Sequence, residues 1–447
     1  MTGGPAGHAA GSARFAAPVV LPCDPGCGVL RDAVVDVGAD GRIGHVGPRS
    51  AAPPHDGPVH ELTGALMPGL VNTHAHTPMT VLRGMGGDLP LMRWLHDVMW
   101  PAEARLTAAD VRAGMLAGCV ELLRGGCTTS VEMYFFTDAV TEAVLAAGSR
   151  VLLTPGIIAV PGWDRLGSWQ EMLDDVSARI DATGLRSGPG ERVELGYGPH
   201  AAYTLPPEAL EAVGSHARER GALVHIHVAE AADEDGPQRS AYGSVPAMLD
   251  ALGLLGGRVL AAHAVQLSDA DVELLAARGA AVAHCPGSNA KLAAGIARVT
   301  ALRRAGIRVG LGTDGPASGD DMDLWAQARL AGLLARVGTG DAAALTAAEL
   351  LLMATRDAAA AAGREDLGAL EAGRWADMVH VDLDDTAFVD PSDDAQLLSN
   401  LVWAGGARLV RDVWVAGEQV VAAGEPTRVD RVAALADLRA VAARLAT

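Results

Sequence analysis

Two histidines one residue apart, His74 and His76, close an apolar run that begins Met67-Pro68-Gly69-Leu70-Val71. Alternate residues on a strand project to the same side, so both imidazoles can reach one divalent ion. A second run, Leu223-Val224-His225-Ile226-His227, ends in the same way, and Glu230 follows three residues later. His225 shares the parity of His227 but lies deeper, which suits a core or supporting histidine better than a ligand. Asp314 follows another apolar run, in Leu311-Gly312-Thr313-Asp314-Gly315. Three imidazoles (His74, His76, His227) and the Asp314 carboxylate leave one position open for water, the pattern of a catalytic rather than a structural zinc site. Zinc brings the pKa of a bound water close to neutral and so supplies hydroxide at pH 7; Fe2+ and Mn2+ are the alternatives. Glu230 and His263, in Ala261-Ala262-His263-Ala264, are then the candidates for proton transfer. A carboxyl in an apolar pocket can be held protonated as an acid, and a histidine beside the water can orient it.

Such residues need elements that bring them to one place. From about Pro68 to Ala372 the chain alternates short buried strands with amphipathic helices. The expected strands are Gly69–Thr73, Thr129–Glu132, Val151–Ile157, Val193–Tyr197, Val224–Val228, Val259–Ala262, Ala280–Ala283 and Ile307–Gly312, with helices such as Ala109–Arg124 and Pro207–Arg220 between them. Eight strand-then-helix units predict an α/β chain folded as a (β/α)8 TIM-type barrel. His74, His76, His200, His227, Glu230, His263, His284 and Asp314 all fall at the C-terminal ends of these strands, the face on which such barrels carry their active sites. Short Val-rich runs divided by Gly, Asp and Pro occur before and after the barrel and predict a small β-sandwich built from both termini. The expected boundaries are a tail over 1–14, the β domain over 15–66 and 373–426, the barrel over 67–372, and a C-terminal helix over 427–447.

Lysine occurs once, as Lys291. Two-metal barrel hydrolases commonly bridge their ions with a carboxylated lysine at the end of the fourth strand. Gly198-Pro199-His200 stands there instead, so a single ion per subunit is expected. The bulk composition agrees with a small-molecule enzyme: 49% of the 447 residues are hydrophobic, 20% are charged, and the formal net charge is −19. So acidic a chain repels phosphate backbones, which argues against a nucleic-acid partner. Five scattered cysteines make no disulfide framework, and Cys23 and Cys27 have no second pair to complete a metal site. The Gly/Ala-rich start lacks the pattern of a signal peptide, and no apolar run reaches the roughly 18 residues of a membrane span. A cytoplasmic protein without membrane contact is expected.

The stretches Pro68-Gly69-Leu70-Val71-Asn72-Thr73-His74-Ala75-His76, Asp88-Leu89-Pro90-Leu91-Met92-Arg93-Trp94-Leu95, Trp100-Pro101-Ala102-Glu103-Ala104-Arg105, Gly198-Pro199-His200 and Leu311-Gly312-Thr313-Asp314-Gly315 resemble the amidohydrolase superfamily, in its 5′-methylthioadenosine/S-adenosylhomocysteine deaminase group. The resemblance runs from about residue 20 to 425. It implies metal ligation by His74, His76, His227 and Asp314. It also implies a proton shuttle at Glu230 toward the purine N1, action of His263 and Asp314 on the attacking water, and help from Asp314 to the departing ammonia. Glu103 would hold the ribose hydroxyls, Trp94 would line the nucleoside pocket, and His200 and Arg165 would contact substrate. The implied partner is a small-molecule nucleoside and the implied assembly a homo-oligomer. Two positions depart from the group's pattern: Pro155 stands where an arginine often meets a substrate carboxylate, and Ala317-Ser318-Gly319-Asp320 replaces Ala-Ser-Asn-Asn. The 5′ side of the pocket is therefore open, with Trp163 and Trp169 as candidate stacking surfaces. A different leaving group or ring, as in a triazine chlorohydrolase or a guanine-like base deaminase, is the second reading, and a metal-free scaffold the third.

Overall fold

The computed structural model describes residues 12–160 and 163–445. Residues 1–11 of the expected tail lie outside the described residues, as does Gly162 of the segment Gly162-Trp163-Asp164-Arg165. Ala13 and Arg14 were also expected in the tail but open the first strand, Ala13–Val20. The reason is local: Arg14 pairs through its backbone with Asp36 and Val59, and its guanidinium donates twice to the Asp36 carboxylate, at 2.6 and 2.8 Å.

Both ends of the chain contribute to one nine-stranded sheet. Ala65–Pro68 is its seam, parallel to Ala13–Val20 on one side and antiparallel to Met378–Val381 on the other. Alternation along these strands sorts the side chains. Phe15, Ala33, Val35, Leu66, Met378 and Trp414 form a core within the sheet, whereas Ala65, Met67, Val379 and Val381 face the main core of the molecule. The Phe15 and Trp414 rings meet edge-on at 5.0 Å although two strands separate theirs in the sheet, so the sheet is strongly coiled. Two of its hairpin turns touch: a Cβ on Gly41, which has φ +80°, would lie 2.3 Å from the Ala416 carbonyl oxygen.

Parallel strands carry the middle of the chain. Leu70–Ala75, Cys127–Glu132, Arg150–Leu153 and Val193–Leu195 pair in that order. Leu223–Val228, Arg258–His263, Ala281–His284 and Val309–Leu311 pair in a second run. Bridges at Tyr197–Val224 and Ala201–His227 join the runs on one side, and a bridge at Ala75–Asp314 joins them on the other. These strands are buried on both faces, with apolar residues interrupted by buried polar ones such as Asn72, Thr129, Glu132 and Arg150. Helices such as Ala108–Arg124, Trp169–Thr183 and Asp269–Arg278 cover them, each started by a capping box: Thr107 with Asp110, Ser168 with Glu171, and Ser268 with Asp271. Pro207–Arg220 begins on prolines and stops at Gly221, whose left-handed backbone costs a residue without Cβ nothing. No described helix is long and apolar enough to cross a membrane.

Ion pairs fasten the two parts, among them Arg192–Glu418 at 2.8 Å and the buried Arg150–Asp377. Arg150, fully buried on the third strand of the first run, donates to Asp377 at 2.8 and 2.9 Å and to the carbonyls of Gly190 and Glu191. Asp377 also accepts from the Ala416 amide at 2.7 Å. Removing one partner of a buried pair strands the other charge at a cost of about 3–5 kcal/mol. Asp377→Ala should therefore lower the thermal unfolding midpoint far more than alanine at an exposed pair such as Arg93–Asp97. Equal shifts in a calorimetric scan would show that the buried pair is not a fastening.

Candidate metal centre and its cavity

Four strand ends each deliver one or two of the chemical groups to a common point. His74 sits inside Leu70–Ala75 with His76 just beyond it, His227 inside Leu223–Val228, and His263 at the end of Arg258–His263. Asp314 follows Val309–Leu311 and is aligned by its amide, which donates to the His74 carbonyl at 3.0 Å. The Nε2 atoms of His74 and His76 lie 3.2 and 3.4 Å from Asp314 Oδ1, and His76 Nε2 lies 3.2 Å from His227 Nε2. His263 Nε2 lies 3.7 Å from Glu230 Oε2. Three overlapping groups (His74, His227, His263; His74, His76, Asp314; Glu230, His263, Asp314) each bring their polar atoms within 4.8 Å of one another. Lys291 is elsewhere, paired with Asp320 at 2.5 Å.

The other ring nitrogen of each histidine fixes where its proton sits. Nδ1 of His76 lies 2.7 Å from the Met133 carbonyl, and Nδ1 of His227 lies 2.7 Å from the His200 carbonyl. A carbonyl only accepts, so both rings carry hydrogen on Nδ1 and present a lone pair at Nε2. His74 reaches the same state through a chain. Thr154 Oγ1 donates to the Glu132 carbonyl at 3.0 Å and so accepts from His225 Nδ1 at 3.2 Å. That leaves His225 Nε2 as the acceptor for His74 Nδ1 at 2.8 Å. His263 Nδ1 lies 2.8 Å from Asn289 Oδ1, which turns its Nε2 lone pair inward as well. The Nε2 atoms of His74 and His263 are buried and have no hydrogen-bond partner, which is costly unless something else binds them.

The electrostatics point the same way. Burial lowers the pKa of His74 to about 3 and carries those of His76 and His227 downward, so all three rings are neutral at physiological pH. Burial alone would raise the Asp314 carboxyl, but the adjacent His74, with His263 and His76, holds it well below the usual range. The Gly315 amide and the Ser318 hydroxyl also donate to it, at 2.7 and 2.9 Å. A buried carboxylate ringed by neutral lone pairs is a site for a cation. Backbone strain collects here too: Ala229, His263, Ala264 and Asp314 all have positive φ without being glycine.

Beside these groups opens a cavity of about 660 Å³ of free space, its open mouth included. His76, His227, Glu230, His263 and Asp314 line one part, and Trp94, Trp100, Phe135 and Trp163 supply aromatic wall. Phe135 and Trp163 stack at 4.1 Å. Glu103 lines it as well, buried, with its carboxyl accepting from Tyr134 Oη at 3.0 Å. Burial pushes the Glu103 pKa up to about 7. The cavity is also lined by His200, whose pKa burial lowers to about 3.

Several expected residues stand apart. Arg165 is exposed and is not among the lining residues; its guanidinium donates to the Glu103 carbonyl at 3.1 Å and lies over Phe136 and Trp163. Trp169 packs against the hydrophobic core instead of the cavity, because it opens the helix Trp169–Thr183. Pro155 lines a neighbouring groove beside Phe135, and His284 is buried without lining the cavity. Four residues escaped the sequence reading. Tyr134 holds Glu103, Asn289 holds His263, and Thr154 anchors His225. Asn72 grips Thr313 through both its amide atoms, at 2.8 and 3.0 Å. Of these only Asn72 lies within a motif, two residues before His74.

Residues 65–420 match the model of the amidohydrolase family. The chain belongs to the amidohydrolase family. Among curated amidohydrolase relatives it is 40% identical to the 5-methylthioadenosine/S-adenosylhomocysteine deaminase of Pelotomaculum thermopropionicum, over 95% of this chain and 97% of that one. It is 37% identical to the 5′-deoxyadenosine deaminase of Methanopyrus kandleri, over 90% and 92%. Among solved structures, an adenosine deaminase from Xanthomonas campestris with bound zinc superposes with a TM-score of 0.91 at 37% identity, covering 98% of this chain and 99% of that one. The zinc complex of atrazine chlorohydrolase from Arthrobacter aurescens superposes at 0.85 with 27% identity, covering 96% and 100%.

Proposed function

We propose that this amidohydrolase is a zinc-dependent aminohydrolase that converts the adenine of an adenosine-type nucleoside to hypoxanthine and releases ammonia. One observation carries the reading: a protonatable buried carboxyl (Glu230), an inward-facing imidazole lone pair (His263 Nε2) and a low-pKa carboxylate (Asp314) converge within 4.8 Å beside the histidine cluster. In this reading His74, His76, His227 and Asp314 hold one divalent ion, zinc by analogy with the zinc-bound relatives. Their neutral lone pairs and single negative charge fit it. The bound ion supplies a water acidic enough to be deprotonated near neutral pH.

The remaining work falls to side chains. Burial, with Asp314 close by, lifts the Glu230 pKa well above the ordinary carboxyl value, so Glu230 holds a proton it can give to the ring nitrogen adjacent to the reacting carbon. His263 accepts a proton at Nε2 because Asn289 retains its Nδ1 hydrogen. Asp314 takes the second proton of the attacking water and passes it to the departing amine. Glu103 accepts from the ribose hydroxyls, Trp94 packs on the nucleoside, and His200 contacts the substrate. The Glu103–Tyr134 pair favours a nucleoside over the second reading, a chlorohydrolase or deaminase of another N-heterocycle, because a bare triazine or guanine has no diol to meet it. The same reading takes the ring of parallel pairings as a (β/α)8 barrel over 67–372 and the coiled sheet as a β-sandwich over 15–66 and 373–426. It also takes the enzyme as a cytoplasmic homo-oligomer.

Zinc-loaded protein should carry one ion per chain and convert at least one member of a panel of 5′-modified adenosines, read by the absorbance change of adenine to hypoxanthine and by ammonia. Silence across the panel with zinc fully bound would sink the assignment. Thr154→Val, which cuts the chain that orients His74, should weaken zinc binding about 10–100-fold in a chelator competition; unchanged affinity would show that His74 needs no such support. Glu103 is neutral below about pH 7 and ionised above it, and a carboxylate accepts from hydroxyls better than the acid does. KM for the nucleoside should therefore fall as pH rises through about 7. Glu103→Gln should flatten that dependence and raise KM about 10-fold or more, the cost of losing a charged hydrogen bond. A wild-type KM independent of pH would remove Glu103 from the ribose site.

A further inference from the structure

After Leu223–Val228 the chain turns sharply at Ala229, which has φ +49°. The next two amides, of Glu230 and Ala231, both point at the side chain of Glu234. Glu230 N–H donates to Glu234 Oε1 at 2.7 Å, and Ala231 N–H donates to Glu234 Oε2 at 2.9 Å. On the other side the Ala229 carbonyl accepts from the Val265 and Gln266 amides at 3.1 and 2.8 Å. The short segment carrying Glu230 is thus gripped from both sides, once by backbone and once by a single carboxyl group.

That carboxyl is a costly choice. Glu234 is only 7% exposed and stands near a second buried acid, so a neutral acceptor would seem the cheaper solution. A serine or threonine hydroxyl, though, offers a single oxygen for the two amides to share. The two oxygens of one carboxyl meet both and so fix the two peptides that flank Glu230, 229–230 and 230–231, and with them the direction in which the Glu230 side chain leaves the backbone. Glu230 reaches His263 at 3.7 Å and lines the cavity only in that direction. We infer that Glu234 is a positioning residue for the reaction, a two-toothed clamp that aims the Glu230 carboxyl at the substrate ring. The inference rests on the role proposed above for Glu230.

A double-mutant cycle tests it on the zinc-loaded full chain, with the best adenosine substrate of the panel. Glu234→Ala removes both acceptors. It should lower kcat about 10²-fold, the size of loss that a misplacement of about 1 Å produces, with KM and bound zinc little changed. Glu234→Gln keeps one acceptor and should fall between the two, and it guards against a fold lost by the alanine variant. In a Glu230→Gln background Glu234→Gln should cost almost nothing more, because residues that act through one another are not additive. Additive losses, or a Glu234→Gln enzyme with wild-type kcat, would overturn the clamp while leaving the role of Glu230 standing. A Glu230→Gln enzyme with wild-type kcat would overturn both.

Discussion

Four imidazoles and a carboxylate can share a buried site only if every ring keeps its hydrogen on the outward nitrogen. A single reversed tautomer would aim an N–H at the shared centre and leave a lone pair facing a carbonyl behind. The chain prevents this with acceptors on the far side of each ring: two backbone carbonyls, one asparagine amide, and a His225–Thr154 pair. Much of the surrounding architecture serves that arrangement. The Met133 and His200 carbonyls are in place because their strands end level with the clustered histidines, and that level is set by the pairing register around the ring.

The two faces of the parallel strands divide the labour. Their C-terminal ends bear the positive-φ residues and the unpartnered nitrogens, features that cost stability. Their N-terminal ends bear ion pairs, Arg150 with Asp377 and Glu194 with Arg186, Arg258 and Arg364. The rigidity that the strained end needs is supplied from the other end and from the coiled sheet fastened beneath it. Concentrating strain at one end and compensation at the other is the expected pattern for a site that must be preorganised.

The sequence was legible where chemistry and periodicity coincide. His74, His76, His227, Glu230, His263 and Asp314 could be singled out because each ends an apolar run, and the structure brings them to one point. Strand positions were readable because buried parallel strands are short apolar runs between punctuating glycines. The supporting residues were less visible. Thr154, Asn289 and Glu234 act through hydrogen bonds whose geometry depends on loops, and two of them reach partners far along the chain. Arg165 shows the opposite failure. A guanidinium in a plausible place was expected at the substrate, but it is engaged by the Glu103 carbonyl and two aromatic rings. Arg14 shows that a Gly/Ala-rich opening can hide the first strand when one charged residue has a partner to reach.

The seam strand Ala65–Pro68 has a consequence for how the molecule is made. Its antiparallel neighbour, Met378–Val381, leaves the ribosome only after the whole catalytic portion has been synthesised. Until then the seam presents an open apolar edge, and Asp377 has not yet reached Arg150. The parallel strands must therefore assemble on a base that is half built, and the last strands to emerge act as a latch. Stalled synthesis or a nick between the two parts would leave an adhesive edge on an otherwise formed body, so for this chain completion of translation and protection from aggregation are one event.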